Sequence, residues 1–151
     1  MVKICVLDGD RIEAAEVLLQ SFAANLPAKI CDGTCDDADI LVVNKIPTVG
    51  ASAALLTPGV IIANSDDIQV LQFVSRMGAQ IITYGLNPRA AVTVSSHADD
   101  SCVICIQRAI TTIHGAPILP QEFSVNIIEH KGFDTIILGA VAAALVCGMK
   151  F

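Results

Sequence analysis

Two pairs of acids stand where an α/β protein would carry out chemistry. Asp8 and Asp10 flank Gly9 immediately after the apolar run Lys3–Leu7, and Asp66 and Asp67 follow the run Val60–Asn64 after one serine. Open α/β sheets bind ligands beyond the carboxyl ends of their strands, so acids at such positions are the first candidates for a site. Paired carboxylates there suit a hard cation such as Mg²⁺, whereas an unaccompanied phosphate would be repelled. Asn44 closes the run Ile40–Asn44 and Asn64 closes the next one, adding an amide at each end. The candidate ligand cleft is therefore Asp8, Asp10, Asn44, Asn64, Asp66 and Asp67. The same acids have a structural use, because an acid before a helical pattern caps free N–H groups and favours the helix dipole. No residue is assigned a catalytic role.

Other chemistries find little support. The phosphate-cradling pattern GxxxxGK[ST] does not occur in the chain. His97, His114 and His130 are well separated and form no evident nucleophile–base pair, and Arg76, Arg89 and Arg108 are too scattered to mark an anion site. Of the six cysteines, Cys102 and Cys105 form a CxxC, and Cys31 and Cys35 a CxxxC. Cys102–Ile106 reads as a strand, where residues three apart point to opposite faces and cannot share a metal. The thiols are expected to be small buried hydrophobes, kept reduced. A formal net charge of −6 opposes binding to nucleic acid, whose phosphates need a basic face. With no Trp and one Tyr, platforms for stacking bases are scarce as well.

The elements that must position these residues are legible from hydrophobic spacing. At 151 residues and 54% hydrophobic content, the chain suits a single domain, 1–151, with a substantial core. The longest apolar run, Ile136–Met149, is shorter than the ~20 residues of a membrane helix. The N-terminus meets acids too early for a signal peptide. These features predict a soluble, cytoplasmic protein without membrane contact. Strands are predicted at Lys3–Leu7, Ile40–Asn44, Val60–Asn64 and Gln80–Tyr84. Helices are predicted after Asp10 (with Glu13 as a capping-box acid), over Gly50–Leu56, and from Ser65–Asp67 to Gly78. This alternation indicates a parallel sheet with helices on both faces. Ala91–Ser96, Cys102–Gln107 and Glu122–Ile128 then read as an antiparallel extension, with turns at Ala98–Ser101 and His114–Pro117. A last helix opens at Asp134 and ends near Gly148. It is apolar on nearly every side, so it must be deeply buried or covered by another subunit.

Asp8-Gly9-Asp10 shares the DxD spacing of haloacid-dehalogenase-like phosphatases, but Ile12 stands where their motif continues with Thr or Val. Asp39–Pro47 resembles the third strand of response-regulator receivers, with Asn44 in place of the phosphoacceptor acid. A more extensive resemblance covers residues 60–148. Val60-Ile-Ile-Ala-Asn64-Ser-Asp66-Asp67, a helix, and then Ala79-Gln-Ile-Ile-Thr83-Tyr84-Gly85-Leu86 are similar to the central domain of the Mur ligases. In that domain a strand ends in N-x-D-D and the next ends in T-[YF]-G. Arg89–Ser96, Gln121–Val125 and the Ala-rich helix ending at Gly148 resemble later segments of the same domain.

The resemblance implies a three-layer, Rossmann-like or P-loop-like α/β fold with a small β extension, in a family of ATP-dependent amide-bond ligases. The departures imply lost activity. Asp8-Gly-Asp-Arg11 replaces the Walker A loop, and Phe133 and Ile136 fall where the family's closing helix carries its adenine-contacting asparagines; His130 is the nearby histidine. The expectation is a non-catalytic binding or structural module with no resident cofactor, forming a homo-oligomer or accessory contact through its apolar last helix. Two alternatives remain: a Mg²⁺-dependent phosphate-handling enzyme using Asp8 and Asp10, with ATP and Mg²⁺ as cofactors, or a non-catalytic binder of a peptidoglycan- or folate-type precursor.

Overall fold

A computed structural model describes residues 1–9, 28–32, 37–48, 58–127 and 132–151. The helices predicted after Asp10 and over Gly50–Leu56 lie outside these residues, as do Asp10, Glu13, Cys35 and His130. The strands are β1 (Val2–Asp8), β2 (Ala28–Asp32), β3 (Ile40–Lys45), β4 (Val60–Asn64), β5 (Gln80–Tyr84), β6 (Val92–His97), β7 (Ser101–Ile106), β8 (Ile110–Thr111), β9 (Pro117–Ile118) and β10 (Gln121–Asn126). The helices among the described residues are α1 (Ile68–Val74) and α2 (Ile136–Val146).

Eight strands form one sheet in the order β10-β7-β6-β5-β4-β3-β1-β2. Pairing is parallel from β2 through β6, and antiparallel where β7 joins β6 and β10 joins β7. The antiparallel half therefore extends the same sheet. β2 and the small β8–β9 hairpin have no counterpart among the predicted strands. Because β2 lies outside β1 and β3 on its other side, the chain reverses direction across the sheet between β1 and β3.

The strand-length apolar runs are explained by burial on both faces, as parallel strands require. Ile4, Val6, Ile40, Val42, Val60 and Ile62 point to one face and pack with α2. Their neighbours Cys5, Leu7, Leu41, Val43, Ile61 and Ala63 point to the other and pack with Val70 and Val74 of α1. The result is a three-layer α/β arrangement around a mainly parallel sheet. No helix among the described residues is long and apolar enough to cross a membrane.

α1 begins as expected, with Asp67 as N-cap, its side chain accepting from Gln69 N at 2.9 Å. It ends sooner, at Val74, where Ser75 takes the C-cap and its hydroxyl donates to Gln72 O. Gly78 (φ 67°) turns the chain three residues later, towards β5. At α2, Thr135 holds the N-cap position without a side-chain bond, and Asp134 Oδ1 accepts from Ile136 N at 3.2 Å. Gly148 (φ 95°) closes that helix, its N–H donating to Leu145 O. Every residue of α2 is buried within this one chain. That corrects the reason for expecting a subunit contact through this helix: its apolar surface is already covered, so its composition no longer calls for a partner.

Candidate functional site

The carboxyl ends of β1, β3, β4 and β5 converge on a connected set of polar side chains. Among the described residues, the buried polar side chains are Asp8 (3% exposed), Asn44 (6%) and Asn64 (9%), each at a strand end. They are joined by Tyr84, fully buried at the end of β5. Asn44 is the hub. Its Nδ2 donates to Asp8 Oδ1 at 2.7 Å, and its Oδ1 accepts from the Tyr84 hydroxyl at 2.7 Å. Asn64 Nδ2 donates to the Asn44 backbone carbonyl at 3.2 Å and lies 3.4 Å from its Oδ1.

The parallel register explains this convergence. Asn64 pairs with Tyr84 across β4 and β5, while β1 shifts register after Leu7, so that Asp8 pairs with Lys45. Gly9 N then donates to Lys45 O at 3.0 Å. Asp8 and Asn44 thus meet between β1 and β3, at the point where the sheet changes direction and where open α/β sheets ordinarily hold ligands.

A second group continues from the first. Asn64 Oδ1 accepts from Asp66 N at 3.0 Å, turning the chain out of β4. The Asp66 carboxylate does not cap α1, in contrast to Asp67. It reaches the turn after β5, where it accepts from Leu86 N at 2.7 Å, Asn87 N at 3.1 Å and Asn87 Nδ2 at 2.8 Å. Asn87 Nδ2 also donates to Ser65 Oγ at 2.7 Å. This arrangement requires a glycine at 85, since a Cβ there would lie 2.7 Å from the Asp66 carboxyl, and its φ is 155°. Gly139 in α2 is explained similarly, as a Cβ would lie 2.9 Å from the Tyr84 ring. The ring therefore seats directly on the helix backbone.

The electrostatics follow the packing. Burial pushes the Tyr84 hydroxyl well above the usual phenol value, and the carboxylates of Asp8, Asp134 and Asp66 push it further. For Asp66, partial burial acts upward, but hydrogen bonds from the Asn87 side chain and from Leu86 N and Asn87 N prevail and hold the acid below its ordinary value. Asp66 is therefore a carboxylate already satisfied by the protein's own donors.

Five of the six candidate residues are described, and they contribute to this network in different ways. Asp8, Asn44 and Asn64 form its buried part, Asp66 secures the outer turn, and Asp67 only caps α1. Spacing alone did not single out Tyr84, Ser65 and Asn87. The only tyrosine of the chain, placed at a predicted strand end, was the available signal. Elsewhere, Arg108 donates to Arg89 O at 2.6 Å and to Thr83 Oγ1 at 3.2 Å, fastening the β5–β6 connection. His97 stacks on Phe133. Cys102 is buried and Cys105 partly exposed on the opposite face of β7, and both are free thiols.

A phosphate cradle after β1 would need free amides; Gly9 N is used by Lys45 O, and residues 10–27 lie outside those described. Among the described residues no cluster of three His, Cys, Asp or Glu side chains could hold a metal ion. Neither protein-family models nor curated proteins give a match to this sequence.

Proposed function

We propose that this chain is a Mur-ligase-central-domain-like α/β module that serves a binding or structural role and performs neither ATP hydrolysis nor amide-bond ligation. The observation that carries this reading is the hub at Asn44. At the position where an α/β enzyme presents groups to a ligand, the amide binds Asp8, Tyr84 and Asn64 instead. Asp8 Oδ1 is already engaged by the Asn44 amide in a buried 2.7 Å bond, of a class that contributes about 1.5–3 kcal/mol. The Asp66 carboxylate already accepts from three donors in the β5–β6 turn. These side chains fasten four strand ends together, so the geometry favours a rigid scaffold.

Isothermal titration with Mg²⁺, ATP and both together, on the wild type and on Asp8→Asn, tests the proposal. No saturable heat is expected in any titration. Magnesium-dependent ATP uptake that disappears in Asp8→Asn would overturn it and restore the enzyme reading.

A further inference from the structure

The opposite end of the sheet has a different character. α2 passes Tyr84, at the carboxyl end of β5, near its first turn, and its last turn meets the β8–β9 hairpin, where Ile113 N donates to Val146 O at 2.8 Å. Ile113 and His114 share a hollow with Met1, Val2 and Asp39, the residues that begin β1 and precede β3. The hairpin therefore sits over the amino ends of the strands. Between it, the edge strand β10 and the residues after α2 lies a concavity of about 560 Å³. That volume falls within the roughly 300–1,000 Å³ typical of small-molecule sites.

The walls are apolar: Ile118 and Leu119 on one side, Phe123 from β10, and Leu145, Met149 and Phe151 on the other. Phe123 and Phe151 stack with ring centroids 5.2 Å apart, giving the floor a flat aromatic surface. Leu119 is 64% exposed at the mouth, a large apolar side chain with little protein cover. Among the described lining residues the titratable side chains are His114 and Lys150 and none is acidic, in a chain whose formal net charge is −6.

We propose that this concavity binds a small amphipathic anion, an unbranched alkyl carboxylate being the simplest member of the class. The alkyl chain would lie along Leu119, Ile118 and the Phe123–Phe151 pair, and the head group would face Lys150 and His114. The proposal is independent of the role of the carboxyl-end residues, and neither reading falls with the other.

Titration calorimetry with octanoate, decanoate, decanol and decylammonium, below their micellar concentrations, tests it. Decanoate is expected to bind saturably, tighter than octanoate by about fourfold per methylene and tighter than decylammonium by at least about fivefold. Leu119→Asp, at an exposed position, is expected to abolish decanoate binding while leaving the melting temperature unchanged. Lys150→Gln is expected to weaken decanoate and leave decanol unchanged. No saturable decanoate binding by the folded protein, equal affinity for decanoate and decylammonium, or full binding by Leu119→Asp would each overturn the proposal.

Discussion

Asn44→Leu, alone and combined with Tyr84→Phe, tests whether the strand ends are held by a connected network or by separate contacts. Leucine nearly copies the shape of asparagine and excludes water, so nothing replaces the lost hydrogen bonds. The Asp8 carboxylate loses its 2.7 Å donor and the buried Tyr84 hydroxyl its 2.7 Å acceptor, while Asn64 keeps the Asn44 backbone carbonyl at 3.2 Å. Losing a bond to a charged group costs about 1.5–3 kcal/mol and leaving a buried hydroxyl orphaned about 1–3 kcal/mol. Burying the leucine returns part of this, leaving a net loss of about 3 kcal/mol. In the wild type, Tyr84→Phe removes one neutral hydrogen bond and costs about 1 kcal/mol, because Asn44 Oδ1 retains Asn64 Nδ2 at 3.4 Å. In the Asn44→Leu background the hydroxyl is the orphan, so the same substitution becomes neutral or stabilising. Urea unfolding followed by far-ultraviolet circular dichroism measures the cycle, since Tyr84→Phe removes the only tyrosine of a chain that has no tryptophan. With a slope of about 2 kcal/mol/M, Asn44→Leu lowers the midpoint by about 1.5 M, and adding Tyr84→Phe does not lower it further. If Tyr84→Phe costs the same in both backgrounds, within the ~0.3–0.5 kcal/mol of additive sites, the network is refuted.

The buried phenol makes a second prediction. Below pH 10 Tyr84 is protonated in both states; above it only the unfolded chain loses the proton, so stability falls by up to about 1.4 kcal/mol per pH unit. Cys102 and Cys147, whose thiols burial raises (Cys147 to about 11, with Asp39 adding to it), act in the same direction. Phenolate absorbance of the single tyrosine separates the contributions: it should appear only as the protein unfolds, and its appearance in the native baseline near pH 10 would contradict the burial. Asp66 has the opposite sign, its contribution being present at neutral pH and lost as pH falls below about 3.8, and Asp66→Asn should flatten that acid limb. Gly139→Ala should destabilise by about 1–3 kcal/mol through contact with the Tyr84 ring, although alanine is the better helix former by about 1 kcal/mol; an unchanged or higher Tm would show that the ring is not seated on that helix.

The sequence disclosed most where local chemistry and burial agree. Apolar runs ending in Asp8, Asn44, Asn64 and Tyr84 became the carboxyl ends of neighbouring parallel strands, because side chains buried on both faces leave such a run few other conformations. β2 escaped notice because Ala28-Lys-Ile-Cys-Asp32 mixes charge with apolar residues, as an edge strand can. The β8–β9 hairpin escaped because two residues per strand leave no periodicity to read. Asp8, Asn44 and Asn64 lie at strand ends and Asp66 and Asp67 just beyond one, but their partners were not legible. Asp66 and Asp67 are adjacent acids of identical type; one caps a helix and the other holds a turn some twenty positions away in the chain. Only the tertiary positions of Leu86 and Asn87 distinguish them.

Position at a strand end is therefore a sound guide to where polar side chains gather and a poor guide to what they do there. In open α/β sheets a reversal of strand order, here between β1 and β3, is where a crevice for a ligand ordinarily forms. An enzyme leaves it to a ligand and accepts polar groups whose hydrogen bonds are incomplete until the ligand arrives. Here Asn44 supplies both a donor for Asp8 Oδ1 and the acceptor for the Tyr84 hydroxyl, so both bonds are made within the chain. At the amino end, Leu119 and Phe151 border an apolar hollow. Unsatisfied surface, rather than conventional position, is the physical basis on which a partner molecule gains free energy by binding. By that criterion the hollow beside Leu119 and Phe151 is where the proposed ligand would gain free energy, whereas Asp8, Asn44, Asn64 and Tyr84 at the carboxyl end already bind one another.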